Sequence, residues 1–309
     1  MTFQQLEYIV AVDEHRHFVN AATACGVTQS TLSSTISKFE QEVDVVIFDR
    51  SKHPIEPTVL GKKLISQARV ILHNSQQLRD MVQSEKNIDR GSLFIGIIPS
   101  VTPYLYPGMA RQMKMLYPHV LTTITDEYAP ILIEKLQRAE LDMAIVASVD
   151  IQDTNLLEIE LYNERFMLYA SPASPLWHRE WVRPEDLLGD DMWAMRAFHD
   201  HYPQLSHFVH RENTHTTNFD HGNLFTLIQL VDANGGYTLL PELFRKVLSP
   251  EQQKNLRPVQ GPKFFRTISL VIRRDYMRER MLNIIADAVK RVVPEEMVST
   301  HIKKYAITI

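Results

Sequence analysis

Six histidines, His199, His201, His207, His210, His215 and His221, fall within 23 residues of the chain. Neutral imidazoles ligate zinc, nickel or iron, and His207 with His210, three apart on an expected helix, could grip one ion with Asp200 or Asp220 completing the set. The same cluster could titrate near neutrality and answer to pH, or simply lie solvated on a polar lobe. Its spacing matches no closed zinc pattern, so neither a metal nor a cofactor is expected. A second chemical feature is the run Thr28-Gln29-Ser30-Thr31, with Ser33 and Ser34 behind it. It offers hydroxyls and one amide, and the Gln29 amide can pair in bidentate fashion with an adenine edge. The bland reading is that these groups cap and solvate a helix. A third is Ser100 with Thr102, directly after the apolar run 93–98, where a ligand would meet hydroxyls and backbone N–H groups at a strand end. Both could instead cap the next helix. The only cysteine, Cys25, excludes an intramolecular disulfide and reads as a small buried residue. With no HExxH pair, GxSxG elbow, P-loop or GxGxxG turn in the chain, an enzyme is not expected.

These groups need elements to hold them. Apolar residues at Phe3, Leu6, Ile9 and Val10 predict a first helix ending near His15, and a short segment from Phe18 to Gly26 leads to Thr28 as a helix cap. Leu32, Ile36, Phe39 and Val43 give the next helix one buried stripe and leave its polar face free. Val45 to Phe48, followed by Pro54 and Pro57, reads as a wing hairpin. Residues 58–87 then contain no proline, and Leu60, Leu64, Ala68, Ile71, Ser75, Leu78 and Val82 form nearly a heptad seam. A helix of that length would run about 45 Å, and its stripe calls for a partner helix. From Leu93 the chain alternates strands and helices, which predicts a parallel sheet. Two strand-like runs around Asn163-Glu164 suggest a crossing into a second lobe, with helices near 204–211 and 223–233. Phe265 to Ile272 returns to the first lobe, and residues 277–293 form a closing amphipathic helix. Methionines such as Met109, Met113 and Met115 read as gap-fillers in a core.

The string Ala21-Ala22, Val27-Thr28-Gln29-Ser30-Thr31-Leu32-Ser33, Ile36, Phe39-Glu40, Phe48-Asp49-Arg50 and Pro57-Thr58-Val59-Leu60-Gly61 resembles the DNA-binding domain of the LysR-type transcriptional regulators. It departs at Ser30, Asp44 and Phe39, where that family usually shows Pro, Gly and Leu. The resemblance covers essentially the whole chain and is strongest to the peroxide-sensing OxyR-like branch, through Leu6 to Ala11, Glu14 to Phe18, Gly96 to Leu105 and Tyr237 to Pro241. That branch senses through two cysteines, whereas the comparable stretch here, Met195 to Tyr202, has none. Thiol chemistry at that place is impossible.

What the resemblance implies is an α/β chain of three parts. Residues 1–58 would be a winged helix-turn-helix, 59–88 a linker and dimerisation helix, and 89–309 a two-lobed effector domain of the periplasmic-binding-protein type. Lobe I would comprise 89–162 and 266–309, and lobe II 163–265. The expected partners are double-stranded DNA, a small-molecule effector and further copies of the chain, as a homodimer or homotetramer. Thr28, Gln29, Ser30, Thr31, Ser33 and Ser34 would face bases, with Lys38, Arg50 and Lys52 near phosphates. Arg50 could pair instead with Asp49 or Glu42. Ser100, Thr102, Tyr128, Phe198, His199 and Asn223 would line the effector cleft.

Charge supplies no general attraction for nucleic acid. The chain carries a net −4, and residues 1–90 hold ten Lys and Arg against eleven Asp and Glu. DNA affinity must therefore come from placement and from several domains on one operator, with a salt dependence set by few phosphates. No basic lead-in precedes the first apolar run and no stretch approaches the roughly 20 apolar residues of a membrane span, so a cytoplasmic protein without membrane association is expected. A rival reading is a small-molecule-binding protein without DNA activity.

Overall fold

The computed structural model describes residues 1–84, 91–147, 153–187, 191–194, 223–261 and 265–299. Helix α1 (Phe3–His15) starts on a capping box in which Thr2 and Gln5 satisfy each other's backbone N–H groups. After α2 (Phe18–Ala24) the chain turns through Gly26, whose φ of +67° favours glycine. The third helix, α3 (Gln29–Val43), buries Leu32, Ile36 and Phe39 against α1 and α2. Its expected stripe ends there, because Val43 is exposed. The wing is shorter than Val45 to Phe48 suggests: β1 (Phe48–Asp49) pairs with β2 (Glu56–Pro57) over two residues, antiparallel. Ile47 and Phe48 are spent on the core, while Val46 points to solvent.

The long helix is α4 (Val59–Ser84), 26 residues and about 39 Å. Gly61 lets it start against the wing, since a Cβ there would lie 2.1 Å from the Ile47 carbonyl oxygen. Leu64 and Ile65 pack into the core of the first domain, whereas Leu60, Ile71, Leu78 and Val82 are exposed. Of the seam read from the sequence, these four residues are exposed, whereas Leu64 and Ala68 are turned inward.

The second body is built on seven strands in the order β4-β3-β5-β9-β6-β7, with β8 also paired to β6. Strands β3 (Gly91–Ile97), β4 (Val120–Asp126) and β5 (Met143–Ala147) run parallel and are joined by α5 (Thr102–Leu116) and α6 (Ala129–Gln137). Crossover helices of this kind cover the faces of a parallel sheet, which is why β3 and β5 read as near-continuous apolar runs. The two runs around Asn163 belong to one strand, β6 (Leu156–Ala170). Its first part pairs with β9 (Phe265–Arg273), and its last five residues pair with β7 (Tyr237–Pro241). A register irregularity between Glu160 and Tyr162 interrupts the ladder with β9 partway along. Further elements are α7 (Leu224–Asn234), α8 (Pro250–Gln253), β8 (Leu256–Pro258) and α9 (Glu279–Lys290). Met109 and Met113 fill the core, but Met115 is exposed. No described helix is long and apolar enough to cross a membrane.

Candidate nucleic-acid interface and effector cleft

Thr28 stands in extended backbone as the cap of α3, and its Oγ1 accepts the Thr31 N–H at 3.2 Å. The same oxygen lies 3.0 Å from Ser30 Oγ and 2.8 Å from Thr31 Oγ1. Ser34 donates to the Thr31 carbonyl at 3.0 Å. The small hydroxyls of this turn are thus already partnered within the helix. Gln29 and Lys38 are exposed and make no side-chain hydrogen bond or ion pair among the described residues. A surface whose neighbours are internally satisfied while one amide and one ammonium stand free leaves those two heads for an external partner.

Arg50 pairs with neither Asp49 nor Glu42. Its Nη2 donates to Glu40 Oε2 at 2.8 Å and Ser37 Oγ at 2.9 Å, and the guanidinium lies 5.2 Å from the centre of the Phe18 ring. Glu40 Oε1 in turn accepts the Ile47 N–H at 2.7 Å. Glu40, which sequence reasoning did not single out, therefore ties the recognition helix to the wing from both carboxylate oxygens. Its signal was the pairing of Phe39-Glu40 with Phe48-Asp49-Arg50 in the motif. Lys52 sits at the wing tip, 2.6 Å from Glu56, which raises its pKa and keeps it charged. Cys25 is half-buried at the end of α2. Burial, then Glu7 and Glu14, push its thiol pKa up, the direction that suppresses thiolate chemistry.

In the second body, Ser100 and Thr102 follow β3 as expected, and neither hydroxyl caps α5, whose cap residue is Val101 without a side-chain bond. Ser100 Oγ accepts from Arg266 Nη1 at 2.8 Å. Thr102 Oγ1 lies 3.1 Å from Asp126 Oδ1 and 3.2 Å from the Ile98 carbonyl. Tyr128 stands two residues beyond Asp126, so these groups gather at the carboxyl ends of β3 and β4. Burial raises the Asp126 pKa, and the Tyr128 pKa rises through burial and the Asp126 and Glu127 carboxylates. Asn223 is the cap of α7, its Oδ1 accepting the Thr226 N–H at 2.9 Å. Phe198, His199, His207 and His210, with the remaining histidines of that cluster, lie outside the described residues. Among the described residues no group of three or more His, Cys, Asp or Glu could hold a metal.

Beneath Ser100 lies a buried network that the sequence did not announce. Arg266 and Glu164, on β9 and β6, pair at 2.7 Å with side chains 3% and 0% exposed. Glu164 Oε1 also accepts the Tyr104 hydroxyl at 2.6 Å, and Tyr104 lies 2.9 Å from the Tyr162 hydroxyl. Burial, then the Glu164 charge, hold both phenols well above their ordinary pKa. A fixed cation thus sits under the loop that carries Ser100.

Comparison with known proteins decides what these two sites belong to. Residues 3–62 match the family described as bacterial regulatory helix-turn-helix protein, lysR family, and residues 86–293 match the LysR substrate binding domain. The chain belongs to the LysR family. It is 33% identical to the hydrogen peroxide-inducible genes activator of Haemophilus influenzae, covering 95% of this chain and 99% of that one. It is 32% identical to the DNA-binding transcriptional dual regulator OxyR of Escherichia coli K12, covering 88% and 90%. A full-length OxyR structure from Pseudomonas aeruginosa superposes with a TM-score of 0.82 at 28% identity, covering 97% and 98%. A hydrogen peroxide-bound OxyR mutant from Corynebacterium glutamicum gives 0.59 at 26%, covering 94% of each. As a LysR-type regulator the chain binds DNA through its winged helix-turn-helix and is oligomeric, and its α/β body is the family's effector domain.

Proposed function

We propose that this LysR-type regulator is a cytoplasmic, non-enzymatic transcription factor that senses a small effector between the lobes of its effector domain by a mechanism other than thiol oxidation. The observation that carries the reading is the place of its one cysteine. Cys25 belongs to the DNA-binding domain, and its thiol is disfavoured as thiolate. A disulfide within one chain needs two thiols and this chain has one, so the response named for relatives such as the hydrogen peroxide-inducible genes activator would not run here through an intramolecular disulfide. The effector site would draw on Ser100, Thr102 and Tyr128 from one side, and on Phe198, His199 and Asn223 from the other. Residues 1–58 would read the operator, 59–88 would join two copies along the seam of Leu60, Ile71, Leu78 and Val82, and 89–309 would sense.

At the DNA, Gln29 would read a base edge, flanked by Thr28, Ser30, Thr31, Ser33 and Ser34, while Lys38, Arg50 and Lys52 would meet phosphates. A bidentate amide–adenine pair contributes about 1–3 kcal/mol of discrimination. Gln29→Ala should therefore lower the ratio of specific to non-specific binding, measured by gel shift on the chain's own upstream DNA, by roughly ten- to a hundredfold, without loss of folding or assembly. An unchanged ratio would remove Gln29 from the interface. For the sensing half, Cys25→Ser should leave the transcriptional response to any inducer intact. Loss of that response with DNA binding preserved would return the mechanism to the thiol.

A further inference from the structure

The linker helix α4 is held at two places in two different ways. Near its start, Leu64 and Ile65 are packed into the apolar core of the DNA-binding domain. Farther along, no α4 side chain enters the core of the effector domain among the described residues. The contacts there are hydrogen bonds and ion pairs. Asn74 Nδ2 donates to Asp275 Oδ2 at 2.9 Å and its Oδ1 accepts from Arg273 Nη2 at 2.8 Å. Gln77, 1% exposed, accepts the Met277 backbone N–H at 2.8 Å. His73 Nε2 lies 3.6 Å from Asp142 Oδ1, which Arg278 Nη1 also approaches at 3.6 Å. Buried Arg273 Nη1 has no hydrogen-bond partner.

Polar surfaces of this kind gain little net stability from their hydrogen bonds, because water replaces them on opening. Parting an apolar core exposes surface that water does not compensate. The first attachment is therefore permanent on the scale of the second. The second also sits on the strand that reaches the cleft. Asp142 Oδ2 accepts the Phe94 N–H at 2.8 Å and Arg278 Nη1 donates to the Ser92 carbonyl at 3.0 Å, both on β3. The other end of β3 runs into Ser100. One seven-residue strand thus has the linker contact at its start and the cleft loop at its end.

We propose that the face of α4 formed by His73, Asn74 and Gln77 is a latch that releases from the effector domain as a unit, leaving both cores intact, and that its state sets the angle at which the DNA-binding domains are presented. The second half of this inference rests on the DNA reading above, and the first does not. The structure supplies a local probe and a local trigger. The Met277 amide is protected by Gln77 and so reports opening directly. The trigger is His73, whose pKa burial, then Arg273 and Arg278, lower to about 4 against the pull of Asp275. Asp142 also faces it. Opening restores an ordinary imidazole, so release takes up a proton and is favoured as pH falls.

The experiment measures exchange of the Met277 amide in the full-length oligomer by fragmentation mass spectrometry, corrected for intrinsic exchange. Between pH 7.5 and pH 5 the opening equilibrium should rise about thirtyfold. His73→Asn, which cannot titrate, should flatten that dependence, and Gln77→Leu should show the unprotected limit at both pH values. A Met277 amide that loses protection only together with the β3 and β4 amides, or one equally pH-sensitive in His73→Asn, would overturn the latch. With the latch opened by Asn74→Leu plus Gln77→Leu, the nuclease footprint on the upstream DNA should change in extent or spacing. An unaltered footprint, with Met277 shown to be unprotected, would leave the contact structural and overturn its role in presentation. A wild-type chain giving no footprint would instead sink the DNA reading, and the exchange data would still decide the latch.

Discussion

Arg50 and Glu40 meet on the surface of the DNA-binding domain, with side chains 42% and 12% exposed, whereas Arg266 and Glu164 meet under the cleft loop with almost none. The partners and distances are nearly alike, 2.8 Å and 2.7 Å. Solvent makes them different devices. Water screens the first pair, so its contribution to stability is small and its value lies in geometry, fixing the wing against α3. The second pair has lost its hydration and must recover the cost from hydrogen bonds. Glu164 does so through Arg266 Nε and Nη2 and the Tyr104 hydroxyl, all on Oε1, while its buried Oε2 has no hydrogen-bond partner. An incompletely satisfied buried pair is a poor way to stabilise a fold but an effective way to keep a cation aimed at one spot, here Ser100.

That contrast is broken most sharply at the buried pair. Glu164→Leu strands a buried guanidinium and should cost about 3–5 kcal/mol, read as a lower urea midpoint with an unchanged slope. Replacing both partners, Glu164→Leu with Arg266→Met, should recover most of that loss, because an apolar pair of similar volume has no desolvation to offset. If the double variant were as unstable as the single one, the network of Ser100, Tyr104 and Tyr162 would be carrying the stability, and the pair would be incidental to it.

At the surface pair the ordering reverses. Arg50→Ala should change stability by no more than about 1 kcal/mol. It should nevertheless weaken operator binding and lower the log–log salt slope by about 0.9, the value for one lost phosphate contact. Glu40→Gln separates the two roles. It frees the guanidinium but weakens the wing anchor at Ile47 and Phe48, so affinity should fall while the slope stays. A slope unmoved by Arg50→Ala would make Arg50 a brace alone.

The same contrast explains what could be read from the sequence. The recognition helix was legible because its information is local. Thr28, Leu32, Ile36 and Phe39 are placed by a cap and a 3.6-residue period, and the long α4 by the absence of proline and a sustained seam. The βα alternation of the effector domain was legible for the same reason. The buried charges were not. Glu164 and Arg266 lie 102 residues apart, and each, taken alone, looks like an ordinary surface charge on a strand. His73 met Asp142 and Arg278 only once the chain had folded, and nothing in its own helix distinguishes it from a solvated residue. Asn223 carries a second, local signal: with Thr226 three residues on it caps α7, a role that its place in the proposed cleft does not exclude.

The smallest effect lies at the far end of the recognition helix. Asp44 closes α3 in the left-handed region, φ +52° and ψ +43°, where the family resemblance leads one to expect glycine. Val45 N–H reaches back to the Glu40 carbonyl at 2.9 Å, so the turn itself is well formed. A side chain with a Cβ is strained there, and an aspartate adds a negative charge to the negative end of the helix dipole. Asp44→Gly removes both penalties but gives the unfolded chain more freedom, leaving a net gain of about 0.5–1 kcal/mol. Asp44→Asn removes only the charge and should gain a few tenths of a kcal/mol. A urea midpoint that rises with Asn as much as with Gly would assign the whole penalty to charge. It would also mean that the left-handed turn costs this aspartate nothing, and that the acidic balance of the DNA-binding domain, rather than its backbone, is what this position sets.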